Sequence, residues 1–86
     1  MNFNSEIRNR IRLSLAAYAY EYKDDPIMSD DEFDSLAKKI NVDKSTGNRK
    51  LDNFFKKHFE TDTGMWIRKH PELSKIDFIY QNYRKK

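Results

Sequence analysis

The chain of 86 residues has no cysteine. This excludes disulfides and thiolate-bound metals and is compatible with a reducing cytoplasm. Two glycines and two prolines are too few to turn an all-β chain at every strand end. No apolar run approaches the roughly 18 residues of a membrane span. Met1-Asn2-Phe3-Asn4 carries neither the basic start nor the apolar block of a signal peptide. The expectation is a soluble, cytoplasmic protein with no membrane partner. A Gly-rich phosphate loop, a nucleophile elbow and a His-Glu-x-x-His pair are also missing. His58 and His70 are the only histidines, and two of them without cysteine do not make a metal site. Both read as solvated or core-edge side chains, and no metal is expected.

Charged residues make up 36% of the chain and aromatic residues 14%, too aromatic a mix for a disordered segment. One small domain, residues 1–86, is expected, burying about 60–65% of its unfolded surface. Helical periodicity runs through it. Asn4 or Ser5 can cap a first helix reaching about Lys23, with Ile7, Ile11, Leu15, Tyr18 and Tyr22 as its apolar stripe. Asp24-Asp25-Pro26 stops that helix, because the residue before proline is pushed out of the helical region. Asn41 to Asn48 reads as a loop, too poor in the required glycine and glutamate positions to bind calcium. Leu51, Phe54, Phe55, His58 and Phe59 then mark a third helix from about Asn48 to His58, with its phenylalanines in the core. Met65 to Lys69 suits one or two helical turns, with Trp66 packed inside. After His70-Pro71-Glu72 a last helix carries Leu73, Ile76, Ile79 or Tyr80, and Tyr83. The fold class is all-α, a small bundle of four to five helices.

The most patterned stretch is Met28 to Leu36. Ser29 and Glu32 form a capping box, Ser-x-x-Glu, so a helix begins near Asp30. Phe33, Leu36, Ala37 and Ile40 give it a buried face, and Ile27 or Met28 can staple onto Phe33. Joined by about five residues, this helix and the first should form an antiparallel hairpin. Tyr20 and Glu21 would then face Asp30 and Asp34.

Tyr18-x-Tyr20-Glu21, Pro26 and Ser29-Asp30-x-Glu32-Phe33-Asp34-x-Leu36 together resemble the helical N-terminal subdomain of bacterial NAD-dependent DNA ligases. That family's pattern is Tyr-x-Tyr-His, a short loop with proline, then Ser/Pro-Asp-x-Glu-Tyr-Asp-x-Leu. The resemblance covers roughly residues 11 to 40. In the ligases this helix-loop-helix closes over the nicotinamide mononucleotide half of NAD. The resemblance implies nucleotide-contacting roles for Tyr20, Glu21, Asp30, Phe33 and Asp34. Glu21 replaces the family's histidine and Phe33 its second tyrosine. An uncompensated anion at Glu21 would disfavour a phosphorylated ligand. The ligases' catalytic motif, Lys-x-Asp-Gly, is absent, so no enzyme activity is expected. The chain also resembles small ligase-related proteins of bacteriophages. This implies a non-catalytic accessory or interaction protein of phage or mobile-element origin, with a host or phage protein of DNA metabolism or defence as partner.

Two further functions fit the residues. One is binding of nicotinamide mononucleotide or NAD through the five positions above, with the rings as platforms and Asp30 and Asp34 as acceptors. The other rests on charge. Residues 1 to 43 hold six Lys/Arg against nine Asp/Glu, and residues 44 to 86 hold eleven against five. In the second half Arg68, Lys69, Lys75, Arg84, Lys85 and Lys86, interleaved with Trp66, Tyr80 and Tyr83, could hold a nucleic-acid backbone with rings free to stack.

Overall fold

A computed structural model describes residues 3–84. These residues form four α-helices, α1 (Phe3–Lys23), α2 (Asp30–Lys39), α3 (Arg49–His58) and α4 (Leu73–Arg84), with a 3-10 helix (Met65–Lys69) before the last. Among the described residues there is no strand. The all-α bundle expected from the sequence is thus the fold, and among the described residues no helix is long and apolar enough to cross a membrane. At about 1.5 Å per residue α1 is some 31 Å long, the longest dimension of the molecule at 31 Å. It packs against α2, α4 and the 3-10 helix.

The helix boundaries follow from local chemistry. The Ser29 hydroxyl accepts the Glu32 N–H at 3.1 Å, and the Glu32 carboxylate accepts the Ser29 N–H at 2.9 Å. The capping box is closed in both directions, and the bond from the Ser29 N–H chiefly holds the Glu32 carboxyl below its usual range. The Asn48 side chain accepts the Leu51 N–H at 3.2 Å and starts α3 in the same way. Asp24 ends α1 in the left-handed region, at φ +52°, which Asp tolerates better than most residues. One boundary needs correction. Because α1 already begins at Phe3, Asn4 and Ser5 lie inside its first turn and not at the position before it.

The core is built on Leu13, Ala17 and Tyr18 of α1, Leu36 and Ala37 of α2, Phe54 and Phe55 of α3, Trp66, Ile67 and Ile76. Trp66 lies 5.6 Å from Phe55 and 5.2 Å from Phe59, ring centre to ring centre. His70 is buried, edge-on to Phe54 at 5.0 Å. Its Nδ1 accepts the Glu72 N–H at 3.0 Å, and burial pushes its pKa down. At the other end of α1, the Tyr18 hydroxyl donates to Asp77 at 2.6 Å and the Tyr80 hydroxyl to Asp25 at 2.7 Å. These bonds tie the C-terminal half of α1 and the turn after it to α4.

The predicted apolar stripe of α1 is rotated from the real one. Ile11 and Tyr22 are exposed, while Glu6 and Arg10 are buried beside Leu13, Ser14 and Ala17. Arg10 donates from Nε to Glu6 at 2.7 Å, from Nη1 to Asp52 at 2.8 Å, and from Nη2 to the carbonyls of Asn41 and Lys44 at 2.8 and 3.0 Å. Its guanidinium carbon lies 4.9 Å from the centre of the Phe55 ring. Glu6 in turn accepts the Asn41 N–H. Burial alone would raise the Asp52 carboxyl, but bonds from the Thr46 hydroxyl and N–H and from Arg10 hold it below its usual range.

Candidate functional site

Tyr20 and Glu21 sit in the last turn of α1, and Asp30, Phe33 and Asp34 in the first turns of α2. The short connection through Pro26 folds α2 back against α1, consistent with the expected hairpin. All five residues implied by the ligase resemblance therefore line one open groove of about 480 Å³. Thr61, Asp62, Thr63 and Gly64 close its far side. Thr61-Asp62-Thr63-Gly64 reads locally as a turn or a new cap, and its approach to the groove is a tertiary contact with no local signal. A methyl group on Gly64 would rest 3.5 Å from the Phe33 ring and 3.5 Å from Ala17, so the floor fits closely here without being overfilled.

The groove has an aromatic face and an acidic lining. Tyr20 is 58% exposed and Phe33 is half-buried, packed against the core. Glu21, Asp30, Asp31, Asp34 and Asp62 all line it, and among its lining residues there is no Lys, Arg or His. Asp34 pairs with Lys38 at 3.1 Å on the exposed surface of α2. Glu21 corrects the sequence expectation of an uncompensated anion, because its carboxylate accepts from Arg68 Nη2 at 3.1 Å. The Glu21 side chain is largely covered, and the Arg68 guanidinium also lies 5.5 Å from the Tyr22 ring.

The basic residues of the second half are spread out. Arg68 is engaged by Glu21, Lys75 lies 3.6 Å from Glu72, and Lys69 is exposed on the 3-10 helix. Arg84 is the last residue of α4, while Lys85 and Lys86 lie outside the described residues. Of the rings proposed for stacking, Trp66 is buried and Tyr80 is half-buried with its hydroxyl on Asp25, which leaves Tyr83 as the exposed one. Among the described residues, no three His, Cys, Asp or Glu side chains are placed to share a metal ion.

Compared with known proteins, the chain matches no family model, no curated protein and no solved structure at a level that would establish kinship.

Proposed function

We propose that the protein is a non-catalytic accessory module that binds a nicotinamide nucleoside or nucleotide in the groove between α1, α2 and the Thr61 to Gly64 segment. One observation carries this reading. Five residues chosen from a sequence pattern, and spread over fifteen positions, converge on a single groove. Tyr20 and Phe33 offer ring surface to a planar heterocycle. Asp30 and Asp34 offer acceptors to ribose hydroxyls or a carboxamide.

The test is a heteronuclear NMR titration of the purified chain with nicotinamide riboside, nicotinamide mononucleotide and NAD. Saturable shifts are expected at Tyr20, Phe33 and Gly64, and Asp34→Ala should abolish them while leaving the spectrum dispersed. Absence of any response at millimolar ligand would overturn the reading. The companion reading, docking on a protein of DNA metabolism or defence from a phage or its host, would then stand in its place.

A further inference from the structure

We propose that the outward face of α3 is a docking surface for double-stranded DNA, lying in the major groove with its cations on the phosphates and Asn53 toward the base edges. This surface is separate from the groove between α1 and α2, and the proposal does not rest on the nicotinamide reading.

At about 100° per residue, Lys56, Arg49, Asn53, Lys57 and Lys50 fall in that order on one arc of about 120°. All five are exposed. The arc therefore carries four cations, one amide and no carboxylate. The exposed positions of α2, by contrast, mix Asp30, Asp31, Glu32 and Asp34 with Lys38 and Lys39. Among the described residues, none of the four cations on α3 pairs with a carboxylate, and the Asn53 side chain has no hydrogen-bond partner. The acid of this helix, Asp52, is turned inward and accepts from Arg10 and Thr46. Phe54 and Phe55 anchor the helix in the core. It is thus held from behind and charged in front.

Unpaired cations gathered on one face repel one another, and a polyanion relieves that repulsion. Each phosphate they meet also releases condensed counterions, which drives affinity for nucleic acid. A helix of 10 residues spans about 15 Å, and the major groove of B-form DNA, about 12 Å wide, admits such a rod. The major groove of A-form RNA is too deep and narrow for side chains to read, so the duplex that fits is DNA. Asn53, central on the arc, carries the donor and acceptor that match N7 and N6 of adenine. Two of the cations singled out near the C-terminus, Arg68 and Lys75, are instead paired with Glu21 and Glu72.

The experiment follows the fluorescence anisotropy of a labelled mixed-sequence DNA duplex with the full chain, between about 50 and 200 mM salt. With three or four phosphates neutralised, affinity is expected to fall about 40- to 150-fold over that range. Lys56→Gln with Lys57→Gln should reduce the logarithmic salt slope by about two, and adding Arg49→Gln and Lys50→Gln should abolish binding. Glutamine suits an exposed helical position, and the dispersion of the NMR spectrum checks the fold. Lys69→Gln with Arg84→Gln should leave binding unchanged. In the wild-type chain the Asn53 side-chain amide should shift on titration with the duplex. No binding at the lowest salt overturns the proposal, as does binding that survives the four changes in α3. Equal affinity for duplex RNA or for phosphatidylglycerol vesicles, or an unshifted Asn53 amide in the bound chain, overturns it too.

Discussion

Arg10 has 4% of its surface exposed and spends four guanidinium N–H bonds on three separate segments of chain. Removing it leaves the carboxylates of Glu6 and Asp52 without their cation and frees two carbonyls that it had satisfied. Breaking a buried ion pair from one side costs about 3–5 kcal/mol. Arg10→Ala is therefore expected to lose stability of that order, read as a fall in the urea midpoint. A loss below about 1 kcal/mol would show that the network is replaceable by water. This residue was not legible in the sequence, for a physical reason. A Glu and an Arg four apart on a helix ordinarily form a solvated surface pair, and apolar periodicity alone favours a stripe through Ile7 and Ile11. A better clue was the continuation of Glu6 and Arg10 into Leu13 and Ala17, the same helical face. The Glu21–Arg68 pair, 47 residues apart, had no such clue.

At the scale of elements, Asn48 caps α3, whose start the sequence marks only approximately. The Ser29 capping box was the most readable feature, because a side-chain acceptor must meet the bare N–H groups there. The groove inherits that precision, since Asp30, Phe33 and Asp34 all stand in the first turns after Ser29. Ser29→Ala is expected to cost about 1 kcal/mol and to speed amide exchange over Asp30 to Phe33 before the rest of α2. Uniform acceleration across all four helices would instead mean that the cap serves only global stability. The other wall of the groove was legible as to residue but not as to place. Thr61 to Gly64 looked like a turn, and only the packing of the 3-10 helix against α1 brings it opposite α2.

For the whole molecule, the titrating groups define a window of stability. Burial lowers the His70 pKa, so below about pH 6.5 the unfolded chain takes up a proton that the folded chain resists. Stability should therefore be full above that value and fall as the pH drops through it. A second fall should follow below about pH 4, where the unfolded chain protonates Asp52 and Asp77 while the fold still holds them ionised. The hydroxyl bond from Tyr18 chiefly holds Asp77 below its usual range, and hydrogen bonds together with Arg10 do the same for Asp52. On the alkaline side burial, helped by the bond to Asp77, pushes Tyr18 up to about 12. The unfolded chain releases that proton from about pH 10, and stability should decline from there. Thermal unfolding across pH checks all three limbs. His70→Asn, which keeps an acceptor for the Glu72 N–H without titrating, should flatten the limb that opens below about pH 6.5 alone. The Arg10 clamp has a further consequence. Among the described residues, the α3 backbone comes within 8 Å of the 3-10 helix but of no other helix, so only side chains moor it to α1. That mooring is Phe54 and Phe55 in the core together with the Arg10–Asp52 bond. In Arg10→Ala it loses its charged half, and a protease should then nick α3 before any other helix.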